Sequence, residues 1–436
     1  MSTAAAIAAN RFGLGARPGE LARIATDPRG WLEAQLSPTS GPAGLERVES
    51  LTWRLHRADK RSGKERRDIS RSIYDHEVAL RERYAATTRS PFQERLVRFW
   101  SNHFAVSITQ IRCVGLVGNY ERQAIRPYLG GSFRGLLGAV THHPAMLLYL
   151  DQVRSVGPQS QAGLKRGRGL NENLARELME LHTLGVNGGY NQDDVRALAE
   201  ILTGWGLEPG VRQDPFHFEP RRHQPGDKQL LGTTIRTGGE EEGQEALDLL
   251  ANHPATARHI AEKLVRHFVS DAPTKEDVQT IADTFLHSEG HLPTVHRALI
   301  HLESAWDPSQ RKLRTPADLV CAIARGVGYE GDGELLVQAR RTLGQLPFAA
   351  PSPQGWSDRA EDWAGPDAVV ARVDLARRVA AKVSLDRSVP QLAERLLGPF
   401  LSERTRKVML SLSSPADQLS VLLGSPEFQW RAGVVS

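Results

Sequence analysis

The sequence predicts an all-α protein: a large multi-helix bundle with a small β-hairpin insert between two helical halves. Three observations carry this. Apolar residues recur at three- and four-residue intervals in window after window. One stretch, 213–236 (QDPFHFEPRRHQPGDKQLLGTTIR), alternates instead and contains a Pro-Gly-Asp turn signal. The composition, 40% hydrophobic and 24% charged over 436 residues, is that of a globular chain long enough to bury a sizeable core.

The first helical half covers windows 17–36, 42–60, 66–88, 92–104, 112–127, 132–150, 172–184 and 192–204. The pattern resumes at 243–252 and runs through 254–269, 275–287, 291–302, 316–326, 333–344, 366–384, 389–397, 402–412 and 415–423. This divides the chain into an N-terminal lobe (1–210), the insert (211–240) and a C-terminal lobe (241–436), together one domain. Two long loops interrupt the pattern, Ser155 to Leu170 and the Pro- and Trp-rich Pro347 to Gly365. Loops of this length in a compact domain are often functional.

Composition excludes several classes. No run of about 18 apolar residues exists, so no membrane-spanning helix is expected. Two cysteines, Cys113 and Cys321, exclude a disulfide framework and a Cys-rich zinc module. The net charge is +4, and nine of the 55 basic residues are Lys. The densest basic stretch, Arg54 to Arg71, carries eight Lys/Arg against Asp59, Glu65 and Asp68. With no nucleic-acid motif beside it, it reads as a solvated helix face and no nucleic-acid partner is expected. The first twenty residues lack the pattern of an export signal, which gives a cytoplasmic expectation. HExxH, GxSxG, GxxxxGK[ST] and CxxC are all absent. Gly13 to Gly19 (GLGARPG) follows no strand and is not a nucleotide fingerprint.

The chemistry-bearing segment is NENLARELMELHTLGVN, 171–187. On a helical wheel Leu174, Leu178, Leu181, Ala175 and Met179 share one arc. Glu172, Arg176, Glu180, Asn173 and Glu177 share the opposite arc. Glu177 and Glu180, at i and i+3, can bind one metal, or one can hold a proton for the other. Arg176 sits four residues from both Glu172 and Glu180. The plain alternative is an exposed ion-pair ladder. His182 falls inside the apolar arc, as does His103 in RLVRFWSNHF (95–104). Each is either a satisfied core histidine or part of a buried site, since a buried imidazole needs a hydrogen-bond partner or a metal. Asn191, Asp193 and Asp194 read as a helix start, and His142-His143 before Pro144 as another. His217, His223, Asp227 and Lys228 in the insert could supply ligands or a lid. Trp205, at the end of Thr203-Gly204-Trp205, could line a cleft.

These segments together resemble the bacterial family catalogued as domain of unknown function 1800. The matching stretches are AANRFGLGARPGE (8–20), FWSNHF (99–104), 125–151, NENLARELMELHTLGVNGGYNQDDVRALAEILTGWG (171–206), 216–232, 253–271 and LLGSPEFQ (422–429). The motif positions are Asn102, His103, Asn171, Glu172, Asn173, Arg176, Glu177, Glu180, His182 and Thr203 to Trp205. His142-His143 departs from the small or polar residues the resemblance leads one to expect. The resemblance also implies a partner of sulfatase-like type, from the family catalogued as domain of unknown function 1501, and export signals on many relatives.

Two functions follow as expectations. The first is a metal-assisted, hydrolase-like enzyme acting on an anionic or carbonyl substrate. His103, Glu177, Glu180 and His182 would be catalytic, with a divalent metal on His103, Glu177 and Glu180. Asn102, Asn171, Glu172, Asn173, Arg176 and Trp205 would bind substrate. The second is a non-catalytic partner or maturation factor of the sulfatase-like protein.

Overall fold

The computed structural model describes residues 2–37, 41–42, 63–166, 169–208 and 215–433. The helical class expected from the periodicity is present: 62% of the described residues are helical. The described strands form two antiparallel pairs, Trp205–Leu207 with Phe216–Phe218 and Lys228–Leu230 with Thr233–Ile235. The second pair turns on Leu231 and Gly232, both at positive φ, which matches the right-handed twist of a two-residue hairpin. None of the described helices is long and apolar enough to cross a membrane. The 42–60 window lies almost wholly outside the described residues.

Local chemistry sets the helix ends. Pro at the first position loses no needed N–H, so Pro91, Pro144, Pro254, Pro316, Pro366 and Pro415 all begin helices. His-Pro-Ala occurs twice with one geometry. His143 Nδ1 accepts from Ala145 N–H and His253 Nδ1 from Ala255 N–H, each at 3.1 Å. His143 thus starts the Pro144–Tyr149 helix and splits the 132–150 window in two. Asn191 caps Gln192–Ile201 in a reciprocal capping box with Asp194. The 17–36 window also divides, at Asp27-Pro28, and the 112–127 window becomes short α, 3-10 and π turns.

One apolar core runs from Ala5 to Ala432. The halves interlock rather than stack end to end. Asn10 reaches Leu396 O, and Arg11 donates to the carbonyls of Ala305, Asp307 and Gln310. The Gly63–Thr87 helix packs on Pro316–Gly326 and Gly333–Thr342. Gly333 permits that last contact, since a Cβ there would sit 1.8 Å from Ala79 O. Gly333→Ala therefore forces two helices apart. Chemical denaturation should show a loss of about 1–3 kcal/mol; unchanged stability would mean the contact is not tight.

Candidate functional site

The motif helix is not a regular α-helix. Asn173–Glu177 is α-helical, but Leu178–His182 is a π turn that ends at Gly185, φ +82°. The last carbonyls of any helix need donors. Two histidines from other helices supply them here. His103 Nε2–H donates to His182 O at 3.1 Å, and His259 Nε2–H donates to Leu181 O at 3.0 Å. Thr183 Oγ1 donates to Leu178 O at 2.6 Å. Gly185 lets His259 approach, since a Cβ would stand 2.8 Å from its Nδ1.

The structure therefore brings His103 and His182 together, with ring centroids 6.1 Å apart. It does not bring Glu177 and Glu180 to them. Among the described residues no group of three or more His, Cys, Asp or Glu is arranged to hold a metal. The expected centre on His103, Glu177 and Glu180 is thus replaced by a helix cap, and His103 Nε2 is committed to a carbonyl. His182 is fully buried, and neither ring nitrogen has a protein partner. Burial, with Lys263 nearby, pushes its pKa down to about 3 and that of His259 to about 4. Lys263 keeps some surface exposure but lies deep among protein atoms. That burial lowers its pKa to about 8.

The polar face of the motif stays on the outside. Glu172 accepts from Arg176 and Gln192, both at 2.9 Å, on a half-exposed surface. Asn171 Oδ1 accepts from Asn173 N–H at 2.9 Å and turns the chain into the helix, while Asn173 itself is exposed. Glu177 is half-buried; that burial and Glu180 raise its carboxyl pKa. Glu177 acts electrostatically on Tyr149, and Glu180 on Tyr190. Trp205 is fully buried, stacked on His142 at 4.3 Å and pressed on Gly243. It anchors a strand pair to helices and does not open a cleft. In the insert, Glu242 is held down to about 2; burial opposes this, but His223, Lys228 and the Gly238 and Gly239 amides overcome it. His223 and Lys228 are thereby locked to Glu242, and His217 is exposed.

A second constellation lies behind the NHF motif. Asn102 pairs both ways with Trp356: Nδ2–H donates to its carbonyl and Oδ1 accepts from its N–H, each at 2.8 Å. This clamps the 347–363 segment over a cavity of about 90 Å³. Gly355, φ +82°, permits the contact, as a Cβ would meet Asn102 O at 2.4 Å. Phe348 sits at φ +52° under the Arg81 guanidinium. A non-glycine residue there is strained, and such strain clusters at functional sites.

Arg81, Arg95, Arg98, Arg340 and Arg431 line the cavity, with Asp318, Asp358, His267 and Trp356. Glu82 accepts from Arg98 at 2.9 Å, Arg340 at 2.5 Å and Arg81 at 3.1 Å. Glu121 accepts from Arg81 at 2.8 Å and Arg126 at 2.9 Å; Glu94 pairs with Arg126 at 2.8 Å. Asp318 meets Arg95 at 3.0 Å and Arg431 at 2.6 Å. Burial alone would raise Glu82, Glu121 and Asp318, yet the guanidiniums hold Glu121 down to about 2 and Glu82 and Asp318 lower still. Positive charge remains in excess: with Arg314, which also acts on Asp318, seven guanidiniums meet five carboxylates, Glu82, Glu94, Glu121, Asp318 and Asp358. Burial and neighbouring Arg431 push Arg95 down to about 9. A guanidinium does not surrender its proton, so Arg95 is incompletely compensated by its neighbours, whereas at Arg98 burial is outweighed by Glu82 and Glu94, which push it the other way, up. Arg95 Nη2, Arg98 Nη1 and Trp356 Nε1 are buried donors with no protein acceptor.

Sequence reasoning did not single out this set. Arg95 and Arg98 stand in the motif stretch beside Phe99 and Asn102, and two arginines on the buried face of an amphipathic helix were the available signal.

Buried neutral histidines set an acid limit. Burial depresses His182, His143 and His296 to about 3 and His259 and His267 to about 4. Each folded pKa lies below its unfolded value. The stability is therefore complete above about pH 6.5 and is lost as pH falls toward 4, at about 1.4 kcal/mol per pH unit per histidine. Melting between pH 7.5 and 5 should fall steeply, and His182→Leu should reduce the slope by one proton. A flat profile would contradict the assignment.

No curated protein and no solved structure matches this chain. A family model described as "Protein of unknown function (DUF1800)" matches residues 7–430 of the 436, and the chain belongs to that family.

Proposed function

We propose that this protein binds a small anionic ligand or substrate in the arginine-lined cavity beneath the 347–363 segment. The observation that carries the reading is the set of buried guanidinium and indole donors that no protein group accepts. A buried N–H left without an acceptor is costly even on a guanidinium whose charge is paired, and a bound carboxylate or oxyanion satisfies it. Planar arginine forks suit such groups. At about 90 Å³ the cavity has room for a small ligand such as one tetrahedral oxyanion or a small carboxylate. An anionic substrate is retained from the hydrolytic reading; its divalent metal is not, because the described residues offer no donor set.

Protein docking is the second reading. Val369, Val370 and Val373 on Pro366–Ala380 and Val408 and Leu410 on Glu403–Leu410 are exposed apolar side chains on neighbouring C-terminal helices. A sulfatase-like protein of the 1501 type is the partner this reading names. Co-elution with that purified protein, lost in Val370→Glu, supports it; separate elution counts against it.

The ligand reading is tested by tryptophan fluorescence at fixed ionic strength, titrating acetate, sulfate and phosphate. A saturable change that Trp356→Phe abolishes is expected. Ligand at about a hundredfold its Kd should stabilise the fold by about 2.7 kcal/mol. Asn102→Ala, which frees Trp356, should weaken binding about tenfold. Flat titrations with all three anions would refute the reading.

A further inference from the structure

One residue of the cavity lining carries a buried acceptor that no protein group satisfies. His267 lines the cavity, and its Nδ1–H donates to Asp358 Oδ1 at 2.7 Å. Lys312 bonds the Asp358 carbonyl and faces Asp271. Asp358 is kept ionised: burial opposes this, and His267 and Lys312 outweigh it. An ionised carboxylate cannot donate, so Nδ1 carries the proton. Burial keeps the imidazole neutral, and Arg431 and Arg95 add to that. The remaining nitrogen, Nε2, is then a bare lone pair. It is buried, and no protein group donates to it. The arginine donors around it point their hydrogens to Asp318 and to backbone carbonyls instead. The wall therefore has two unmet demands: acceptors for Arg95 Nη2, Arg98 Nη1 and Trp356 Nε1, and a donor for His267 Nε2.

Resting on the anion-binding reading, we infer that the ligand is a small anion carrying its own hydroxyl, held by the guanidiniums through its charge and by His267 Nε2 through its O–H. Hydrogen phosphate and small hydroxycarboxylates share this chemistry. Sulfate and acetate lack the hydroxyl and leave Nε2 facing a lone pair or nothing. Sites built around such a hydrogen bond reject analogues that lack it. The Asp–His pair is the selective element because Asp358 fixes which nitrogen is bare.

The test titrates the full chain at pH 7.5 and constant ionic strength by calorimetry, with Trp356 emission as a second readout. Two matched pairs are used: phosphate against sulfate, and glycolate against acetate. At least one hydroxyl-bearing member should bind about tenfold or more tightly than its partner, a margin set by one unsatisfied buried acceptor. The pair that discriminates identifies the source of the hydroxyl. His267→Phe removes the acceptor and should bring that pair to within about twofold while binding persists. Arsenate against selenate repeats the comparison on the wild-type chain and needs no variant to fold. Equal affinities within every pair overturn this inference alone. Absence of binding by every anion overturns the anion site itself.

Discussion

The pairing of buried guanidinium groups is the constraint on which the rest of the structure depends. Arg11, Arg95, Arg314, Arg325 and Arg431 are each 0 or 1% exposed. None can lose its proton to escape the cost of burial. Each is instead tied to oxygen atoms from distant parts of the chain. Arg95 Nε donates to Gly13 O, and Arg325 Nε donates to Gly15 O, both at 2.7 Å. Arg314 joins Asn10 to Phe428 O, and Arg431 joins Asp318 to His267 O. The N-terminal RFGLG run thus ties to both halves: Gly13 O accepts from Arg95 in its own half, Gly15 O accepts from Arg325 in the other, and Arg11 donates to the 305–310 carbonyls. Gly15, φ +105°, has no room for a Cβ, which would lie 2.8 Å from Ala322 Cβ. Removing one partner of such a group costs about 3–5 kcal/mol. Single N–H groups are left without an acceptor elsewhere too, as at Arg11 Nε, Arg126 Nε and Arg314 Nη1; at the Trp356 cavity two guanidiniums and an indole with such groups line one space.

Much of the fold was legible in the sequence because it rests on local rules. The 3.6-residue periodicity located most helices, Pro and Ser/Thr/Asn marked their starts, and the alternating insert became strands. The misreadings have physical causes. A wheel assumes a regular helix, and Leu178–His182 is a π turn. His-Pro-Ala broke the 132–150 window because the histidine caps the next helix. The long reach of Asn10 and Arg11 into residues 305–310 and 396 is tertiary, and no local pattern records it.

The candidate site was legible only in part. That His103 and His182 point inward follows from their place on apolar arcs; that their rings meet does not. Their capping role does not, because it needs His259 from another helix. Glu172 and Arg176 form the surface pair that their spacing allows. Asn102 was legible as a motif position, but its partner is Trp356, 254 residues away. The arginine cavity escaped notice because arginine on a helix ordinarily means a solvated face. The carboxylates that hold Arg95, Arg98 and Arg340 inside come from segments as far apart as Glu82 and Asp318.

The central claim is that the cavity beneath Trp356 is an oxyanion site. A crystal structure with selenate or arsenate, read by anomalous scattering, tests it most directly. The account expects an anomalous peak inside the cavity, within hydrogen-bond reach of Arg95 Nη2, Arg98 Nη1 and Trp356 Nε1. A cavity holding ordered water alone, with anomalous peaks confined to the surface, would contradict it.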